Sequence, residues 1–185
     1  MTTFLPFSTS LDFRSGSLEP HDDVLVRRLS DMAGAYADDE AASRLLQEGD
    51  PVIYRAFTAA VPEEPDQLIY RTTIIQPGRV GREYFMTNGH HHERDSAELY
   101  LGMAGSGLMV LQNRDRQHHL AELVAHRAVY VPPGWAHRTV NTGEEELVFL
   151  AVYFGDAGHD YSSMERDGFA VRVVRGSHGP DVVAA

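Results

Sequence analysis

Residues 87–105 read TNGHHHERDSAELYLGMAG. Three histidines stand in a row at 90–92, and Glu98 follows six positions after His92. In an extended segment alternate side chains share a face, so His90 and His92 point one way and His91 the other. At most two of the three can serve one metal ion. Glu98 comes after the short polar connection ERDSA and opens the run ELYLGMAG, where Tyr100 shares its face. Residues 131–141, VPPGWAHRTVN, supply a further imidazole, His137, three positions after Gly134 and four before Asn141. A histidine run by itself is more often a solvated turn. Two such segments together make a set of three imidazoles and one carboxylate for a divalent ion, with positions left for water or substrate.

The surroundings of these segments predict an all-β protein. After Pro51 come short runs rich in Val, Ile, Tyr and Phe: VIYRAFTA, QLIYRTTIIQ, REYFMT, AELYLGMA, GLMVLQN, QHHLAELV, AVYVP, HRTVN, ELVFLAVYF and FAVRVVRG. Turn signals such as PEEPD, QPG, AGSG, NRD, PPG and NTGEE separate them, as in an antiparallel sandwich or barrel. LVFLAVYF is apolar on both parities and reads as a strand covered on both sides. Residues 1–50 form an N-terminal extension with one short helix, DDEAASRLLQEGD, in which Asp38 caps the start and Gly49 ends it. Residues 51–175 form the barrel, and the 185 residues make one domain. His118, His119, His21, His178 and His91 read as structural or exposed.

Composition narrows the chemistry. Cysteine is absent, so a metal must be held by histidine and carboxylate. The net charge of −11 argues against nucleic acid as a partner. It does not bar a small anion, which a local group of donors or a metal can hold against the global field. No apolar stretch approaches the ~20 residues of a membrane helix. The start MTTFLPFSTSLDFRSG lacks a signal-peptide pattern. A cytoplasmic protein without membrane contacts is expected.

HHHERDSAELYLGMAG fits H-x-H-x5-E-x6-G and PPGWAHRTVN fits P-x-G-x2-H-x3-N. The pair resembles the two signature motifs of the cupin superfamily and implies a cupin β-barrel, a double-stranded β-helix or jelly roll. Two leading glycines of those motifs are replaced, by Tyr84 and His126. The resemblance narrows further over residues 20–175. VRRLSDMAGAY, DPVIY, TTIIQPGRVGREYFMTNGHHH, AELYLGMAGSGLMVLQ, VYVPPGWAHRTVNTG and LAVYFGDAGHDY together look like the cupin-type glucose-6-phosphate isomerases. In that family the His92–Glu98 connection is one residue longer, which puts the placement of Glu98 beside a metal at issue.

The resemblance implies roles residue by residue. His90, His92, Glu98 and His137 would hold one divalent metal ion per subunit, such as iron, manganese, zinc or nickel. Tyr54, Thr73, Thr87, Gly89 and Tyr161 would line the pocket for the phosphosugar, and Tyr100, Tyr153 and His159 would lie near the sugar hydroxyls. Hydroxyls and a glycine N–H can bind phosphate without a lysine cluster. Glu98 is the candidate proton shuttle, with His159 or a tyrosine moving protons between oxygens or opening the ring. A metal-assisted hydride shift is the other route. The resemblance also implies a homodimer. Rival readings are an isomerase or epimerase of another phosphosugar such as mannose 6-phosphate, a metal-dependent dioxygenase, and a non-catalytic sugar-binding or storage protein.

Overall fold

All but one of the β-rich runs fold as strands of four residues or more in the computed structural model, which describes residues 4–185. In chain order the longer strands are β1 (His21–Arg28), β2 (Val52–Ala59), β3 (Leu68–Ile75), β4 (Glu98–Ala104), β5 (Ser106–Gln112), β6 (His118–Val124), β7 (Ala128–Val131), β8 (Ala136–Asn141), β9 (Leu147–Phe154), β10 (Val171–Arg175) and β11 (Pro180–Ala184). A six-stranded sheet runs β7-β4-β9-β3-β2-β1, and a three-stranded sheet runs β6-β5-β8. A further sheet joins β11, β10 and the short pairs at Glu83–Tyr84 and Arg79–Val80. Every pairing is antiparallel. Ile75, Leu147 and Phe149 of the larger sheet share one buried cluster with Met109, Leu123 and Val140. Each such side chain contributes about 1.5–3 kcal/mol by leaving water. This is the cupin β-barrel that the paired motifs imply.

Register decides which side chains enter the barrel. Thr73 lies opposite Ala56 and Phe149, while Arg71 lies opposite Thr58 and Ala151. Beyond β9, Ala151 faces Tyr100 and Tyr153 faces Glu98. Period-2 alternation then sends Thr73, Arg71, Tyr100, Tyr153 and Glu98 to one face of the sheet. The opposite face carries Ile74, Met103 and Val148 as a second cluster. The turn at Gly16 covers it. Gly16 has φ +71, and a Cβ there would lie 2.6 Å from Ile74 Cγ1, so only glycine fits. Its carbonyl accepts from the buried Thr72 hydroxyl at 2.6 Å.

The N-terminal fifty residues contain more than a helix. The expected helix is present as α1 (Asp39–Glu48), with Asp38 accepting from the Ala41 N–H at 2.8 Å and Gly49 ending it at φ 146. Before it, HDDVLVRR forms β1 and extends the main sheet alongside β2. Three successive apolar residues, Val24–Val26, blur the alternation that marks a strand. His21 therefore opens a paired strand, with Nδ1 2.9 Å from the Leu18 carbonyl. At the other end β11 lies past residue 175. A second helix, α2 (Tyr161–Asp167), also went unforeseen. YSSMERD has no apolar stripe and buries only Met164, so its start rests on Asp160 capping Ser163. REYFMT pairs as a strand only at Glu83–Tyr84.

The two missing glycines have different explanations. Tyr84 is a buried strand residue and needs no special backbone. His126 keeps the left-handed backbone a glycine would supply, at φ 67, and its N–H donates to the Gly102 carbonyl at 2.9 Å. That conformation costs roughly 1–2 kcal/mol for a residue with a Cβ.

Asn141 shows why the second motif ends in asparagine. Fully buried, it donates to the Ile75 carbonyl at 2.9 Å and the Glu145 carbonyl at 2.8 Å, and accepts from the Gly143 N–H at 3.0 Å. It ties β8 to β3 and to its own turn. Asn141→Ala leaves these groups without a partner. A loss of about 2–4 kcal/mol is expected in urea or guanidinium unfolding. A change below about 0.5 kcal/mol would remove this role.

Candidate active site

His90 and His137 are tied through the backbone. The His90 N–H donates to the His137 carbonyl at 3.3 Å, and the His137 N–H to the His90 carbonyl at 3.1 Å. Four residues earlier Met86 faces Val140, so one partner is skipped between the two bridges. Gly89, at φ +79, lies within this irregularity. A Cβ on Gly89 would meet Phe169 Cε2 at 2.7 Å. Arg138 secures the same turn, donating to the Asn88 carbonyl at 2.7 Å from Nη2, with its guanidinium 4.6 Å from the centre of the Phe169 ring. Burial draws Arg138 down to about 10.

One ligand atom from each of His90, His92, Glu98 and His137 lies within 4.8 Å of the other three. Glu98 Oε2 is 3.1 Å from His92 Nε2 and 2.9 Å from His137 Nε2. The short connection therefore leaves Glu98 among the imidazoles. The parity argument also holds in the geometry. His91 points away, is 5% exposed, and packs where its backbone exchanges hydrogen bonds with Asp160.

The donor set fits a divalent cation. His92 Nδ1 lies 3.0 Å from the Ser96 carbonyl and His137 Nδ1 lies 3.2 Å from the Trp135 carbonyl. Carbonyls only accept, so each Nδ1 carries a hydrogen, and in the neutral ring each Nε2 presents a lone pair. Those lone pairs face a carboxylate oxygen. Such an arrangement needs positive charge between its members. The Nε2 atoms of His90 and His137 are buried without a hydrogen-bond partner, although His137 Nε2 is close to Glu98; the approach is short but not aligned for an N–H donor. Orientation of Nδ1 by a carbonyl is the usual way a protein fixes a ligating imidazole.

The electrostatics follow the same logic. Burial by itself would raise the Glu98 carboxyl, but His137 and His92 hold it well below the usual carboxylate range. Burial, then His137 and His159, push His90 well below its ordinary value. For His92 burial disfavours charge, and the Glu98 hydrogen bond and charge overcome this and raise it. Tyr100 is pushed well above 10 by burial and by Glu98. Tyr153 reaches about 12 through burial, with Arg71 pulling the other way. His159 falls to about 4 through burial and the Arg71 charge, so it is neutral at pH 7.

A cavity of about 60 Å³ adjoins the cluster. Tyr54, Thr73, Thr87, Gly89, Tyr100, Tyr153, His159 and Tyr161 line it together. All the expected pocket residues thus meet in one space. The Tyr153 hydroxyl is buried with no partner. The Thr87 hydroxyl accepts from the Thr139 N–H at 3.0 Å and keeps its own hydrogen to donate. His159 and Tyr161 stack with rings 8° from parallel and centroids 5.8 Å apart. Sequence reasoning missed Arg71, which lines this cavity, and Ser96, which orients His92. Arg71 had a signal: it is two residues before Thr73, on the same face of one strand. Ser96 had none beyond the polar connection.

A model of the family described as Glucose-6-phosphate isomerase (GPI) matches residues 26–181. The chain belongs to that glucose-6-phosphate isomerase family. The glucose-6-phosphate isomerase of Thermococcus litoralis is 45% identical over 170 residues, covering 91% of this chain and 89% of that one. The Pyrococcus horikoshii enzyme of that name is 44% identical over the same coverage. The Sinorhizobium medicae one is 38% identical over 179 residues, covering 95% and 84%. Among solved structures, an oxalate decarboxylase overlaps 58% of this chain and 27% of its own at 20% identity and a TM-score of 0.47. An overlap that loose carries no chemistry to a glucose-6-phosphate isomerase family member.

His159 makes the stability of this family member depend on pH. Its folded value of about 4 lies below the ordinary 6.5. As pH falls through 6.5 the unfolded chain takes up a proton that the folded one refuses, until about 4. This contribution is complete above 6.5 and is lost between 6.5 and 4. Denaturant midpoints measured across that window should fall less steeply for His159→Gln than for the wild type. Parallel profiles would show that His159 is not buried as a neutral ring.

Proposed function

We propose that this chain interconverts glucose 6-phosphate and fructose 6-phosphate by moving a proton between C2 and C1 through an enediolate. The observation that carries the reading is the meeting of the His90/His92/Glu98/His137 set with a hydroxyl-rich cavity, in a member of the glucose-6-phosphate isomerase family. A divalent ion held by these four residues would supply Lewis-acid stabilisation of the negative charge that develops on O1 and O2, worth several kcal/mol. The chain's own groups do the rest. Glu98, ionised and fixed between His92 and His137, takes the proton from one carbon and returns it to the other. His159, neutral at pH 7, accepts the proton of the anomeric hydroxyl and returns it to the ring oxygen as the C1–O5 bond breaks. Tyr100 and Tyr153 stay protonated and donate hydrogen bonds to sugar oxygens. Thr73, Thr87, Tyr54, Tyr161 and the Gly89 backbone hold the phosphate.

The cavity is small for a hexose phosphate. Asn88, Gly89 and Tyr161 also line a neighbouring space of about 630 Å³. Arg138 and Phe169 fix the Gly89 wall between the two spaces. Sugar phosphates are charged and stay within the cell, which supports a cytoplasmic site of action. A second copy of the chain completes the protein as a homodimer. Supporting it is the outer face of the six-stranded sheet, where the cross-strand pairs Leu68/Phe154 and Leu99/Tyr130 leave large apolar groups exposed.

The first test is a coupled assay of both directions with purified protein. Activity should fall on chelation and return in part with divalent ions. His92→Ala and His137→Ala should lose bound metal, read by elemental analysis, while His91→Ala keeps it. Metal lost from His91→Ala alone would invert the assignment of faces.

The second test concerns the route. Glu98→Gln keeps size and one oxygen but cannot accept the proton. It should keep part of its metal while turnover drops by about 10²–10⁴. Wild-type conversion of fructose 6-phosphate in heavy water should leave deuterium at C2 of the product. Unlabelled product, together with an active Glu98→Gln, would favour the hydride shift and reduce Glu98 to a ligand.

A further inference from the structure

We infer that Arg71 is the cation that binds the phosphate of the substrate, pairing with it beside Thr73. The inference rests on the phosphosugar reading of the cavity and adds a residue that reading does not use. Arg71 stands on β3 with its side chain on the barrel face, and it lines the small cavity. Among the described residues it is the only lysine or arginine that does so. Its cross-strand neighbour Ala151 is small and leaves room above the sheet for a long side chain. Tyr100 lies on the next strand beyond.

The guanidinium is under-used. Its Nε donates to the Thr58 hydroxyl at 2.9 Å. No ion pair among the described residues includes it. Arg172, by contrast, is matched by Glu83 at 2.8 Å. A half-buried guanidinium with free N–H groups and no counter-charge is a site for an anion, and its planar fork suits the oxygens of a phosphate. Arg71 is also the charge acting most strongly on His159, Tyr153 and Tyr161, which places its field inside the cavity. Hydroxyls and a glycine N–H offer dipoles to a phosphate but no net charge. The next cation to act on Tyr161, Arg27, does not line the cavity.

The alternative is a structural arginine that merely braces Thr58. Binding of glucitol 6-phosphate, a stable reduced analogue, separates the two when measured by calorimetry on the metal-loaded protein. Arg71→Met, which keeps length and removes charge, should weaken binding by about tenfold or more, and Arg71→Lys by less. The KM for fructose 6-phosphate should rise in parallel. Metal content and thermal midpoint should stay near those of the wild type. Arg71→Gln serves as a second charge-free variant if Arg71→Met does not fold. Binding and KM within about twofold of wild type in a folded charge-free variant would overturn the inference and leave the isomerase reading intact. A wild type that binds glucitol 6-phosphate through Arg71 but isomerises neither hexose phosphate would uphold the inference and defeat the proposed reaction.

Discussion

The reciprocal backbone bridge between His90 and His137 is the contact on which the site depends. It joins a segment that is not itself a strand to β8, which is one. Without it the His90–His92 segment would be held independently of β8. The bridge sets His90 beside His137, period-2 alternation then brings His92 to the same side, and the β9–β4 register delivers Glu98 and Tyr100 from the opposing sheet. The irregularity at Gly89 is part of this device. It shifts pairing by one residue, and a strand shifted by one residue presents its other face. Had the segment continued in the Met86–Val140 register, His90 would have faced Ala136 and not His137.

Much of this was legible because it rests on short-range rules. The H-x-H spacing needs only an extended backbone to be read, and the exclusion of His91 follows from it. The tyrosine and threonine positions came from resemblance, and the register of three strands supplies the physical reason they meet. The unread parts share another cause. β1 hid because Val24, Leu25 and Val26 fill both parities, and its strand character comes from pairing with β2, a partner thirty residues away in sequence. α2 hid because seven residues with one buried side chain leave no periodic trace. His126 looked like a broken motif, yet the fold imposes the left-handed conformation and tolerates the strain. Ser96 meets His92 Nδ1 with both its carbonyl and its hydroxyl, each at 3.0 Å, yet nothing in the polar connection ERDSA singles it out.

The buried carboxylate explains why the imidazoles must be oriented so carefully. Glu98 is 4% exposed and fully committed to the interior. An ionised group there is tolerated only where positive charge and donors surround it. His92 and His137 both turn Nε2 toward it because their Nδ1 hydrogens are taken by carbonyls. The same orientation that leaves the carboxylate short of donors makes the group complete once a cation is shared among the four. A cation bound there would couple binding to folding, since binding free energy for such a set is also folding free energy.

An acidic protein that acts on an anion needs its local field to oppose its global one. The net charge is −11, but beyond a Debye length of about 8 Å at physiological salt most of that charge is screened for groups facing water. What a phosphate meets inside the barrel is set by the few charges that share its low-dielectric space. Those are Glu98 on one side, balanced by whatever the imidazoles hold, and Arg71 on the other. Arg71 faces Ala151 and Ala151 faces Tyr100, and among the described residues no ion pair joins Arg71 to Glu98. A cavity with its anionic end occupied by a ligand set and its cationic end open is polar along one axis. That polarity distinguishes the two ends of a phosphosugar before any hydroxyl is read.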